Sequence, residues 1–205
     1  MGTRKLVAAH LIGASYKRPL IVTDRALGAL PVLAEFQARL AVLDVAVFSG
    51  VFGNPTCSQV MDGAAAYKAH NADCVIGFGG GAALDVAKVV GVAATHEGDI
   101  FEYVWDHPQM RPIANAPPYF VALPTTSGTG FKAGRSSVVS ENDTHLKRVF
   151  AFQKSLGVVG PLPAHGVTAA HIPRLVEIAA ADICHQTNPR SCNIEDFKHF
   201  FLQAL

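Results

Sequence analysis

The chain has 205 residues, enough for one well-formed domain and a small extension. Half of the residues are hydrophobic, 16% are charged and the net charge is +1, so charge gives no argument for a nucleic acid or a membrane surface as partner. No segment has the unbroken apolar length of a membrane helix, and the opening Met-Gly-Thr-Arg-Lys leads into a mixed stretch containing His10 rather than a secretory apolar core.

Periodicity sets out the elements in order. Residues 6–14 read as a helix, 20–23 as a strand, 26–40 as a helix and 44–48 as a strand. Residues 58–70 are helical in pattern, 74–78 form an apolar strand, and 84–94 form the helix after it. A loop rich in proline and aromatics, 101–118, precedes a strand at 119–123. Strands at 136–140 and 148–152, joined by the polar turn Glu141-Asn-Asp-Thr144, have the look of an antiparallel hairpin. Glycines and prolines in 157–166 mark a boundary, beyond which 172–184 and 195–205 read as helices. Strands alternating with helices predict an α/β domain over residues 1–156, its mainly parallel sheet covered by helices on both faces. Residues 157–205 are expected to be a linker and a short helical C-terminal tail.

The segment with most chemistry runs from Asp73 to Lys88: a buried strand, the turn Gly79-Gly80-Gly81 and a helix start. Glycine lets an anion approach the backbone, and a helix N-terminus adds unpaired N–H groups and partial positive charge. A diphosphate suits such a place, although three glycines after a strand are equally a tight turn and nothing more. Three other segments carry the same suggestion. In Val121-Ala-Leu-Pro-Thr-Thr-Ser-Gly-Thr-Gly130 a strand ends in small hydroxyl residues, of which Thr125, Thr126 and Thr129 can donate to phosphate or ribose oxygens. A solvated loop has the same composition. The strand Leu20-Ile-Val-Thr-Asp24 ends in a carboxylate that can bind ribose hydroxyls and repel a 2′-phosphate, or else cap the helix that follows. The turn Gly53-Asn-Pro-Thr56 follows the second strand.

In order and separation, Asn54-Pro-Thr56, Gly77-Phe-Gly-Gly-Gly-Ala-Ala-Leu-Asp-Val-Ala-Lys88 and Leu123-Pro-Thr-Thr-Ser-Gly-Thr-Gly130 resemble the iron-containing (group III) alcohol dehydrogenase family. The resemblance covers residues 2–156 and resumes from about His165 to Leu205, through Ile172-Pro-Arg-Leu-Val-Glu-Ile. It implies a dehydroquinate synthase-like nucleotide-binding fold and hydride transfer between an alcohol or aldehyde and NAD, assisted by a divalent metal, iron or zinc. It also implies that Asp24, Gly79, Gly80, Gly81, Thr125, Thr126 and Thr129 line the cofactor. Asp85 would lie on the nicotinamide side, Asn54 at the cleft edge and Lys147 near the ribose. The family's metal ligands, an Asp and three His on central helices, have no counterpart here, so the metal is expected not to be bound by this chain and no catalytic residue is assigned. A departure falls inside the third motif, where Phe131-Lys132 stands in place of the family's Ser-Glu.

Nine histidines invite a metal reading, but His165, His171, His185 and His199 form no H-x-x-x-H pair. Four cysteines without C-x-x-C spacing read as free thiols of a reducing, cytoplasmic compartment. The expected protein is thus a relative of NAD- and metal-dependent alcohol dehydrogenases that retains nucleotide binding. A non-catalytic remnant and an interaction module with an apolar surface are the alternatives, and a homo-oligomer stays open.

Overall fold

Strands made of Leu, Ile and Val without polar alternation have to be covered on both sides. The computed structural model, which describes residues 6–104, 107–126, 136–151, 163, 166–181 and 193–203, covers them in that way. The chain divides into two units, Met1–Leu156 and Gly157–Leu205. In the first, β1 (Pro19–Asp24), β2 (Ala46–Val51), β3 (Cys74–Gly79) and β4 (Tyr119–Pro124) form a parallel sheet in the order β2-β1-β3-β4. Leu20, Val22 and Val75 pack beneath α4 (Cys57–His70) and α5 (Gly81–Thr95), against Val60, Val86 and Val90. The alternate residues Ile21, Cys74, Ile76 and Phe78 face α1 (Val7–Gly13) and α3 (Pro31–Arg39). There Phe36 stacks on Phe78 with ring centroids 5.0 Å apart. The sequence-derived fold class is the one observed.

The stretch read as a single helix, 26–40, is two. The short α2 (Arg25–Gly28) ends before Leu30, whose backbone is extended, and Pro31 occupies the first turn of α3. A residue before proline avoids the helical region, whereas proline suits a helix start, so Leu30-Pro31 breaks one helix and begins the next. The α4 helix stops where Asn71 takes the left-handed conformation at φ 50° and lets Ala72 N–H reach back to the Tyr67 carbonyl.

β5 (Ser136–Ser140) and β6 (Lys147–Ala151) form the expected antiparallel hairpin. It buries Val139 and Phe150 in the α4–α5 core, and Ser140 N–H donates to the Pro55 carbonyl at 2.8 Å. Arg148 pairs with Glu141 at 2.7 Å across the hairpin. In the second unit, α6 (Ile172–Ala181) buries Ile172 and Val176 and contacts α7 (Ile194–Gln203). Asn193 and Asp196 cap the start of α7 reciprocally, each backbone N–H donating to the other's side chain. Among the described residues no helix is long and apolar enough to cross a membrane.

Candidate functional site

From β1 the chain moves outward to β2, then returns past β1 to β3. The connections therefore diverge between β1 and β3, and a crevice at their carboxyl ends is where open α/β sheets take ligands. A cleft of about 360 Å³ lies there, lined by Asp24, Arg25, Phe52, Gly53, Gly80 and Ala83, among others.

Each wall has a local cause. Asp24 ends β1 and caps α2, its Oδ1 accepting from Leu27 N–H at 2.8 Å. This capping contact fixes the carboxylate, so the cap and the cleft-lining acid are one residue. On the facing side, Gly80 is the N-cap of the fifteen-residue α5, whose first-turn amides have no intrahelical acceptor. Gly79 is fixed by crowding: a Cβ there would stand 2.7 Å from Ala83 Cβ and 3.3 Å from Asp24 Oδ2. That same distance shows the free Asp24 oxygen directed toward the end of β3. Thr125 N–H donates to the Gly79 carbonyl at 3.0 Å and brings the β4 end to the same rim, with Thr126 beside Gly80.

The structure therefore brings together Asp24, Gly79, Gly80, Gly81, Thr125 and Thr126 at one end of the sheet. Thr129 and the Phe131-Lys132 departure lie outside the described residues. Asn54 is exposed, one residue beyond the cleft-lining Gly53. Lys147 is exposed at the start of β6, paired in register with Ser140, which is bonded to the turn containing Asn54. Arg25 and Phe52 were not anticipated from the sequence. The signals were an arginine directly after the strand-end acid and an aromatic residue just before Gly53-Asn-Pro-Thr56.

Asp85 is buried between α5 and the hairpin and is not among the residues lining the cleft. Burial pushes its carboxyl above the usual range, against the opposing pull of Lys88 and of the Val138 backbone and Ser137 hydroxyl. Its Oδ1 and the Ser137 Oγ are buried without a well-formed hydrogen bond. Burial likewise lowers Lys88, whose Nζ donates to the Ser136 carbonyl at 3.1 Å. A raised acid favours the folded state when protonated: its contribution is fully present at low pH and is lost as pH rises through the folded pKa. Asp85→Asn should therefore differ from wild type most at neutral pH, with the melting-temperature gap narrowing as pH falls. A gap independent of pH would show that Asp85 is not the strained group.

A second cavity, of about 460 Å³, lies between the start of α4 and the hairpin turn, lined by Cys57, Asp99, Phe101, His107, Glu141 and Arg148, among others. Burial, then Asp99, raises the Cys57 thiol, the opposite of what a nucleophilic cysteine needs. Cys74 is a buried free thiol pushed up to about 12, first by burial. Among the described residues no three His, Cys, Asp or Glu side chains converge to hold a metal ion. His171 spends its Nδ1 on the Thr168 backbone N–H at 2.9 Å, and His199 is exposed; His165 and His185 lie outside the described residues. The residues described do not fit the family's metal.

Comparison with known proteins agrees with this fold. A family profile described as iron-containing alcohol dehydrogenase matches residues 2–157. Over 185 residues the chain is 33% identical to the 1,3-propanediol dehydrogenase of Klebsiella pneumoniae, covering 84% of this chain and 47% of that protein. It is 32% identical over 148 residues to the NAD-dependent methanol dehydrogenase of Bacillus methanolicus, covering 71% of this chain and 38% of that one. A crystal structure of a 1,3-propanediol oxidoreductase superposes with a TM-score of 0.69 at 26% identity, covering 98% of this chain and 60% of that chain. The chain thus spans about half, or less, of the length of the curated relatives it matches.

Proposed function

The chain belongs to the iron-containing alcohol dehydrogenase family, and we propose that its first unit binds NAD(H) in the cleft between the ends of β1 and β3. The observation that carries this is the facing pair at the switch point: a fixed carboxylate, Asp24, opposite a glycine-capped helix N-terminus at Gly80. The α5 N-terminus suits the diphosphate, and the Thr125 and Thr126 hydroxyls add donors to it. The free oxygen of Asp24 suits ribose hydroxyls. By family resemblance Asn54, Thr129 and Lys147 complete the cofactor's surroundings. Asp85, which the same resemblance gives to the nicotinamide side, is buried between α5 and the hairpin and is not among the residues lining this cleft.

In the whole enzymes of the family a hydride passes between an alcohol or aldehyde carbon and NAD, and the bound metal supplies Lewis-acid stabilisation of the oxygen. We assign this chain the binding half of that chemistry. Met1–Leu156 would serve as the dinucleotide-binding domain, and Gly157–Leu205 as a linker and a remnant of the helical domain. Isothermal calorimetry with NAD(H) and NADP(H) tests the cleft. NAD(H) is expected to bind more tightly, because Asp24 meets a 2′-phosphate with like charge; tighter NADP(H) binding would remove Asp24 from its assigned role.

An interaction module is the second reading, supported by the exposed Ile178, Ile194, Phe200 and Leu202 on α6 and α7. Failure to bind either dinucleotide would favour it.

A further inference from the structure

The cleft contains a cation that its reading as an NAD(H) site leaves without a task. Arg25 follows Asp24 directly, lines the same cleft and has its guanidinium carbon 4.0 Å from the centroid of the Phe52 ring. Phe52 is 52% exposed at the end of β2. A half-exposed phenylalanine beneath a guanidinium is a cation–π pair that restrains the arginine. A guanidinium stacked on a ring keeps its in-plane N–H donors available to a ligand. Among the described residues Arg25 forms no ion pair with a carboxylate, unlike Arg18, Arg111 and Arg148. Asp24, its neighbour, has one oxygen committed to the Leu27 N–H and the other turned toward Gly79.

We propose that Arg25 is a second cofactor-selecting residue, acting against Asp24. The cleft then presents both signs of charge where the adenosine ribose is expected. Asp24 accepts from a 2′-hydroxyl and repels a 2′-phosphate; Arg25, held over Phe52, offers that phosphate a planar set of donors. Preference for NAD(H) persists, but it is narrower than the carboxylate alone would set. The inference rests on the reading of this cleft as the dinucleotide site.

Calorimetry on the full chain with NAD and NADP, for wild type, Arg25→Ala and Arg25→Glu, tests it. At low salt Arg25→Ala should weaken NADP binding on the order of fivefold, as expected for one exposed charge contact, while NAD changes less than twofold. Arg25→Glu should weaken NADP further, and the difference between variants should shrink as salt rises. Arg25 is exposed, so melting temperatures should stay close to wild type. Equal losses for the two cofactors, or no change for either, overturn the role of Arg25 while leaving the NAD(H) site in place. A wild-type chain that binds neither dinucleotide overturns both.

Discussion

Gly80→Val is expected to weaken NAD(H) binding on the order of a hundredfold, about 2.7 kcal/mol, while the chain still folds. Gly80 has an extended backbone, φ −75° and ψ −173°, that any residue can adopt. A Cβ there would meet only the Thr126 Oγ1, at an ordinary 3.6 Å. Valine is a poor N-cap, but its cost relative to glycine stays near 1 kcal/mol or below. The branched side chain would instead stand before the first-turn amides of α5, in the space assigned to the diphosphate. Gly79→Ala is the comparison in which stability falls as well. Its Cβ would be forced to 2.7 Å from Ala83 Cβ, so the start of α5 must shift, at a cost of about 1–3 kcal/mol. Chemical denaturation and calorimetry on the two variants separate the effects. A Gly80→Val chain that binds NAD(H) like wild type would leave the turn with a structural role alone.

Much of this site was written in local sequence. An apolar run closing in an acid, Leu20 to Asp24, and another closing in three glycines gave two strand ends with opposite electrostatic character. The two possible roles of Asp24, cap and cleft acid, were both visible, and the structure shows one carboxylate with one oxygen on the cap and the other directed at Gly79. The break at Leu30-Pro31 was legible as chemistry but was outweighed by the apolar period running through it. The position of Asp85 was not legible. It lies four residues into α5, on a face that the hairpin covers, and only the docking of β5 over that helix determines that it is buried. The pairing of Arg25 with Phe52 joins residues from the ends of β1 and β2. That contact depends on parallel strand order, which no spacing within either segment encodes.

The chain by itself is expected to show no metal-dependent alcohol oxidation above background, even where it binds NAD. Oxidising an alcohol at neutral pH requires its hydroxyl to be deprotonated or strongly polarised, and a Lewis-acidic metal contributes several kcal/mol of that stabilisation. Each ~1.4 kcal/mol lost is about tenfold in rate, so the deficit from this source alone is on the order of a thousandfold. The described residues offer no substitute: no three candidate ligands converge, and His171 is held by Thr168. Asp85 is an acid in α5, but it is enclosed by Lys88 and the hairpin and cannot take a proton from a substrate without exposure. The assay is NADH formation from short primary alcohols with iron, zinc or manganese added, alongside calorimetry showing that NAD binds. Turnover that a chelator abolishes would overturn the expectation. It would direct attention to His165, His185 and His199 as ligands, and their replacement by alanine, singly and in pairs, would then identify the set.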